Sequence, residues 1–106
     1  MRKFIIFFLA LFLPASLIAS GITDDQQARL INLLKHDCGS CHGLTLKGGL
    51  GPALTSDRLS GLPRELIVHT ITNGRDGTPM PPWKALLSKN EIEWLVDYLY
   101  AGEKSD

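Results

Sequence analysis

The residues best placed to do chemistry are two cysteines, two positions apart, followed directly by a histidine: Cys38-Gly39-Ser40-Cys41-His42. Sulfur atoms at this spacing can lie on one side of a tight turn and form thioethers to the two vinyl groups of a porphyrin. The histidine then follows beneath the ring, where its imidazole can reach the iron. The pentapeptide therefore predicts covalent attachment of one haem through Cys38 and Cys41, with His42 as an iron ligand.

Two other kinds of site use the same pair of cysteines. A redox-active Cys-x-x-Cys motif belongs in a βαβ setting, which this chain does not show. A zinc site needs four ligands, and the chain has no further cysteines. Both are alternatives to haem, and a haem stain that survives denaturing electrophoresis separates them from it.

A methionine set among prolines offers a second iron ligand. The three prolines within residues 79–82 hold the backbone around Met80 extended and stiff, which is an unusual setting for a methionine that only fills a core. A thioether opposite an imidazole gives the His/Met ligation that raises the reduction potential of a haem. The sequence thus favours His42 and Met80 as metal ligands. The alternatives are His69 in place of Met80, or an open sixth position.

The segment between these two motifs is rich in glycine. Residues 48–54 contain three glycines and one proline, which excludes a regular helix or a central strand. Glycines allow the backbone to approach a flat cofactor. Pro52 would then place its carbonyl opposite the second ring nitrogen of His42 and orient that ligand. An ordinary surface loop is the alternative.

The N-terminus predicts export. Two cations, Arg2 and Lys3, follow Met1. Residues 4–13 are apolar throughout, and small residues come after them. We therefore expect a cleaved signal peptide over 1–21 and a single domain over 22–106. The mostly apolar stretch 4–19 is shorter than the ~20 residues that span a bilayer, so we expect no stable membrane span; a retained anchor is the alternative.

The charge balance excludes a nucleic-acid-binding protein. Basic and acidic residues number 11 each, and loss of Arg2 and Lys3 with the signal peptide leaves two more acids than bases. Nucleic-acid binding requires a basic face instead. Five cations near the haem motifs could steer an acidic partner, and an ordinary solvated surface explains them equally well. These cations are Lys35, Lys47, Arg75, Lys84 and Lys89.

Apolar periodicity and capping residues predict three helices. Thr23 and Ser88 each begin a capping box, and Pro63 and Gly74 bracket the helix between them. Three buried stripes are expected. They are Ile31, Leu34 and Cys38; Leu62, Leu66, Ile67 and Ile71; and Ile92, Leu95, Val96 and Leu99.

Taken together, these motifs resemble the class I monohaem cytochromes c. The resemblance is carried, in chain order, by Cys38 to Gly43, Gly51 to Leu54, Gly74-Arg75, and Pro79 to Pro81. It implies an all-α fold, the small cytochrome c fold, with three to five short helices wrapped around one covalent haem. It also implies that His42 is proximal, that Met80 is distal, and that the Pro52 carbonyl accepts the ring N–H of His42.

The chain departs from this class in one respect. The first helix lacks the glycine or aromatic residue that commonly contacts the last helix. Leu30 or Leu34 against Trp94 or Tyr98 is expected to replace that contact.

Residues 37–54 and 74–83 narrow the resemblance to the small periplasmic cytochromes of nitrite-reductase gene clusters. This implies a periplasmic electron carrier, not an enzyme, that donates electrons to dissimilatory nitrite reductase. One alternative is a redox accessory in making the d-type haem of that reductase, with a haem-maturation enzyme as partner. Another is a haem sensor or enzyme with an open sixth site.

Overall fold

The computed structural model describes residue 10 and residues 21–102, and all regular elements in this part of the chain are helical. The predicted all-α class is confirmed. The elements, in order, are α1, Asp24–Leu33; a π-helical turn, Leu34–Cys38; α2, Gly39–His42; α3, Ser56–Leu59; α4, Arg64–Asn73; and α5, Lys89–Ala101. The expected signal peptide falls outside the described residues except at Ala10 and Gly21, so it stays a prediction. None of the helices described is long and apolar enough to cross a membrane.

Both predicted capping boxes are present. The Thr23 hydroxyl accepts the N–H of Gln26 at 3.2 Å, and the Gln26 side chain accepts the N–H of Thr23 at 2.9 Å. At the start of α5, Ser88 Oγ accepts the N–H of Glu91 at 3.2 Å, and Glu91 Oε1 accepts the N–H of Ser88 at 3.0 Å. These bonds satisfy N–H groups that have no partner within the helix, which fixes where α1 and α5 begin.

The core lies between α5 and the first helical segment. Its buried members are Leu30, Leu34, Leu46, Leu59, Leu87, Ile92, Leu95, Val96 and Leu99. The whole stripe predicted on α5 is therefore confirmed. In the first stripe Leu34 is buried, but Leu30 is buried in place of Ile31, which is only half-buried.

The first and last helices meet in one core, while the specific pairing of Leu30 or Leu34 with Trp94 or Tyr98 stays a prediction. Leu30 and Leu34 share the core with the buried face of α5, and Trp94 and Tyr98 pack against that core. These two rings stack on each other with centroids 5.3 Å apart. An ion pair between Arg29 and Glu91 adds a polar link across the crossing.

Helix α4 packs against α5 and carries the chain toward Met80. It runs from just after Pro63 to Gly74, as predicted. Arg64 binds both carboxylate oxygens of Asp97, at 2.7 and 3.1 Å, and the Tyr100 hydroxyl donates to the Leu62 carbonyl at 2.7 Å. These bonds tie the start of α4 to the second half of α5.

Three features of the fold differ from the sequence predictions. The stripe predicted to be buried around α4 is not fully buried: Leu66 is 48% exposed, and Leu62, Ile67 and Ile71 are only half-buried. The short helix α3 is not among the three helices predicted from the sequence. The π-helical turn interrupts what reads in the sequence as one continuous α-helix.

Candidate functional site

The two cysteines and His42 lie at the end of a helical segment that continues through the π-helical turn into α2. In this turn the N–H of Gly39 donates to the carbonyl of Leu34, five residues earlier. As a result Gly39 lies buried, while Cys38 is half-buried and Cys41 is exposed. The wide turn places a glycine at the inward position that regular α-helical spacing would give to Cys38, and Cys38 packs half-buried against the core.

The His42 ring is oriented by the loop that follows it. Its Nδ1 lies 2.7 Å from the carbonyl oxygen of Pro52, the contact expected from the sequence. A carbonyl can only accept a hydrogen bond, so Nδ1 carries the proton. In the neutral ring the lone pair is therefore on Nε2, which is the arrangement that metal-binding histidines use.

Gly51 is the residue on which this ring rests. A Cβ at position 51 would lie 2.8 Å from both Cε1 and Nδ1 of His42, closer than real Cβ contacts come. The Gly51 N–H also donates to the Cys41 carbonyl at 2.8 Å, and the Gly48 N–H donates to the His42 carbonyl at the same distance. The glycine-rich loop is thus folded directly onto α2, and only a glycine at 51 leaves room for the imidazole.

The thiols differ in their surroundings. Burial, with a smaller contribution from the Asp37 carboxylate, raises the pKa of Cys38 to about 11, so this group is a neutral thiol near pH 7. The Ser40 hydroxyl donates to the Asp37 carbonyl at 2.8 Å, which stabilises the turn between the cysteines. Cys38 ends the π-helical turn and Cys41 lies in α2, so the two thiols lie on consecutive parts of one helical segment.

Large apolar side chains are exposed beside this site in the chain. Leu44 is 74% exposed and Leu50 is 95% exposed. Exposed leucines close in the chain to a half-buried Cys38, an exposed Cys41 and an imidazole with a free Nε2 suit a large, flat, apolar group that carries a metal. The donor set of Cys38, Cys41 and His42 fits haem.

Met80 lies on a different segment, between α4 and α5, and is partly buried. The Arg75 N–H donates to the Met80 carbonyl at 3.2 Å, and the Trp83 N–H donates to the Ile71 carbonyl at 3.0 Å. The segment is therefore fastened to the end of α4. The structure places Cys38, Cys41, His42 and Pro52 in one local site. Met80 lies on a separate segment, which hydrogen bonds hold to the end of α4.

The other candidate residues lie on the surface. His69, the alternative ligand, is exposed, and its Nδ1 is 3.2 Å from the amide nitrogen of Asn73. All five cations considered for steering are exposed. Trp83 is half-buried and packs against the core.

Two functional features escaped the sequence reasoning. The contact between Gly51 and the His42 ring was not predicted, although a glycine directly before Pro52 was a usable signal. The π-helical turn has no such signal, because its apolar residues also satisfy α-helical spacing.

Comparison with known proteins places these features in a family. Residues 25–99 match the family described as "Cytochrome C oxidase, cbb3-type, subunit III". A "Cytochrome c55X" from Pseudomonas aeruginosa is 53% identical over 100 residues, which cover 90% of this chain and 84% of that protein.

Solved structures agree with the sequence comparison. The structure of a "c-type cytochrome NirC" superposes with a TM-score of 0.76 at 56% identity and covers 79% of this chain and 99% of its own. That of "Dihydro-heme d1 dehydrogenase NirN in complex with DHE" superposes with a TM-score of 0.65 at 32% identity, but only 16% of its chain is matched.

These relatives confirm the resemblance inferred from the two short segments. A small c-type cytochrome is an electron carrier rather than an enzyme, and the cofactor of such proteins is haem c. The chain therefore belongs to the cytochrome c family that includes the cbb3-type subunit III domain, and within it to the small monohaem c-type cytochromes that are similar to cytochrome c55X and NirC.

Proposed function

We propose that this electron carrier holds a single haem c through thioethers from Cys38 and Cys41, with His42 and Met80 as the axial ligands. When bound, this group supplies one-electron chemistry by alternating between ferric and ferrous iron. The observation that carries the proposal is the 2.7 Å contact between His42 Nδ1 and the Pro52 carbonyl, because it leaves Nε2 free for a metal.

Each residue of the proposed haem site has a distinct role. The cysteines would hold the haem through thioethers, and His42 would bind its iron. The Pro52 carbonyl fixes the tautomer of the His42 ring and raises the basicity of that ring. Met80 would bind the iron opposite this imidazole in the proposal and would exclude small molecules from it. With both axial positions filled, the protein transfers electrons and turns over no substrate.

Covalent attachment is tested by a haem stain after denaturing electrophoresis. The wild-type protein is expected to stain, and a variant with both Cys38→Ala and Cys41→Ala is expected not to stain. Replacing Ser40 with alanine in a control leaves both thiols in place and should preserve the stain. An unstained wild-type protein that has matured normally would contradict haem attachment.

Axial ligation is tested by a matched pair of variants. Met80→Ala should abolish the weak red absorption band of a ferric methionine-ligated haem and open the iron to added imidazole. His69→Ala, on the neighbouring helix, should leave the spectrum unchanged. Loss of the band in His69→Ala alone, or its absence from the wild-type protein, would refute Met80 as the ligand.

We further propose that residues 1–21 are a cleaved signal peptide and that the domain 22–106 functions in the periplasm. Support comes from the charge and hydropathy pattern of the first residues. The test is the N-terminal sequence and mass of haem-bearing protein released from the periplasm. Protein that keeps its first residues and stays with the membrane would favour the retained anchor.

The partner proposed is dissimilatory nitrite reductase, supported by the similarity to the structure of a c-type cytochrome NirC. The second candidate is a redox accessory in the formation of d-type haem, favoured by the 35% identity over 88 residues to a "Dihydro-heme d1 dehydrogenase". Only 18% of that protein's length is matched. The partner in this case would be a haem-maturation enzyme.

Stopped-flow mixing of the ferrous protein with nitrite reductase distinguishes the two candidates. Rapid, saturable oxidation supports the respiratory role. A reaction too slow to sustain turnover of the reductase would refute that role and leave the biosynthetic one.

A further inference from the structure

The segment that leads from α4 to Met80 closes on itself through one hydroxyl group. The Thr78 hydroxyl donates to the Arg75 carbonyl at 2.7 Å and accepts the N–H of Met80 at 3.3 Å. The Thr78 N–H donates to the same Arg75 carbonyl at 3.1 Å, and the Arg75 N–H donates to the Met80 carbonyl at 3.2 Å. Thr78 therefore links the first and last residues of the loop 75–80.

The closed loop sits directly on the backbone of Gly74. A Cβ at position 74 would lie 2.6 Å from the Met80 carbonyl oxygen and 2.8 Å from backbone atoms of Pro81 and Pro82. These are backbone atoms and cannot rotate aside as a flexible side chain would. Gly74 also has φ +69° and ψ −168°, a conformation that essentially only glycine adopts.

We propose that Gly74 and Thr78 are positioning residues for Met80. The bare Cα of Gly74 sets how closely the methionine segment approaches the end of α4, and the Thr78 hydroxyl fixes the loop that carries Met80. Neither residue touches the iron. This inference rests on the proposed methionine ligation and adds which residues hold the ligand in place.

The reason such positioning matters is the weakness of the ligand. A thioether is neutral and sits at the end of a flexible side chain, so its hold on a metal depends on how well its backbone is confined. Whenever the loop moves away, the sixth position is open to an added ligand. The apparent affinity for that ligand then rises in proportion to the open fraction.

Gly77 provides a matched control within the same loop. It also has a positive φ, +72°, but a Cβ there would meet nothing within 4 Å. Gly77→Ala thus introduces a methyl group at positive φ without touching the Met80 segment. Gly74→Ala adds the same methyl group against the Met80 carbonyl.

The test is an imidazole titration of the ferric holoprotein, followed by the change in its visible spectrum. Gly74→Ala should raise the apparent imidazole affinity by about tenfold or more and weaken the red methionine band. Thr78→Val, which keeps the shape but loses the hydroxyl, should raise it by about threefold. Gly77→Ala, which carries the strain of a positive φ but no backbone clash, should raise it by less than either of these.

The outcomes separate this inference from the proposed function. A wild-type protein without the methionine band refutes the methionine ligation and the positioning roles together. The positioning roles alone are overturned if the wild-type protein shows the band but the apparent imidazole affinities of Gly74→Ala and Thr78→Val both equal that of Gly77→Ala. If Gly74→Ala does not accumulate, Thr78→Val decides, because it adds nothing to the backbone contact.

Discussion

The two proposed iron ligands are held in different ways. His42 ends a helical segment that contributes Leu30 and Leu34 to the core, and its ring is fixed by Gly51 and Pro52. The loop that bears Met80 is exposed over residues 75–79 and is closed mainly by hydrogen bonds within itself. Packing secures the histidine side, and local bonds secure the methionine side. We therefore expect the histidine side to persist when the methionine side opens.

The largest effect should come from removing the packing beneath the histidine side. Leu34, in the π-helical turn, is 2% exposed, so Leu34→Ala leaves a cavity and should lower the free energy of unfolding by about 3 kcal/mol. Chemical denaturation of the ferric holoprotein measures this. Leu86→Ala is the control, since that side chain is 72% exposed and should cost almost nothing. Equal losses would show that buried packing does not distinguish the histidine side.

Hydrogen exchange compares the two sides without mutation. Amides of Leu95 and Val96, in the buried face of α5, should exchange only when the protein unfolds globally. Those of Arg75 and Thr78, in exposed bonds of 3.2 and 3.1 Å, should exchange on local opening, about 100-fold faster once intrinsic rates are removed. Similar protection in both places would mean that the Met80 loop opens only with the whole domain.

Crowding the histidine ring should have a somewhat smaller effect than the core cavity. Gly51→Ala places a methyl group 2.8 Å from the His42 ring and should destabilise the holoprotein by about 2 kcal/mol. The readout is the denaturation midpoint together with the haem spectrum. The matched control is Gly61→Ala, where a Cβ would meet only the Arg58 carbonyl at an ordinary 3.9 Å. If the two variants are equally stable, the ring does not rest on Gly51 in solution.

The smallest effect concerns acid stability at the helix crossing. The hydrogen bond with Ser88 and, less strongly, that from Arg29 lower the pKa of Glu91 below its ordinary value of 4.5. A lowered folded-state pKa stabilises the protein above the unfolded value, and this contribution disappears as pH falls through the folded value. Glu91→Gln should therefore cost about 1 kcal/mol at pH 7 and nothing in strong acid.

Denaturation curves across the acid range measure the difference between wild type and Glu91→Gln. Glu65→Gln, at an exposed position of α4, controls for the general loss of a carboxylate. A difference that stays constant from neutral to acid pH would exclude an electrostatic role for Glu91.

Local patterns predicted the helices well because capping is a local interaction. Thr23 and Ser88 each need only a glutamine or glutamate three residues later, and Pro63 and Gly74 act through their own backbone preferences. The short helix α3 escaped prediction because four residues contain too little periodicity to detect.

The tertiary contacts of the site were harder to predict. The burial of Leu30 instead of Ile31 depends on how α1 meets α5, and the exposure of Leu66 depends on how α4 meets α5. The contacts of His42 with Gly51 and of Met80 with Gly74 join residues nine and six positions apart, which is beyond the spacings that helix periodicity and capping patterns use. A glycine in a sequence shows that close approach is allowed, but not what approaches it.

The π-helical turn has a consequence for how the first helix tolerates changes in length. Leu34 and Gly39 face inward five residues apart, whereas a regular α-helix presents the same face every three or four. Deleting one exposed residue of the turn, such as His36, would bring them to a spacing of four and leave the same two residues facing inward. The turn therefore behaves as a one-residue insertion in the helix. A change in length within the turn can leave the core residues before it in place while it changes the direction in which the two sulfurs after it point.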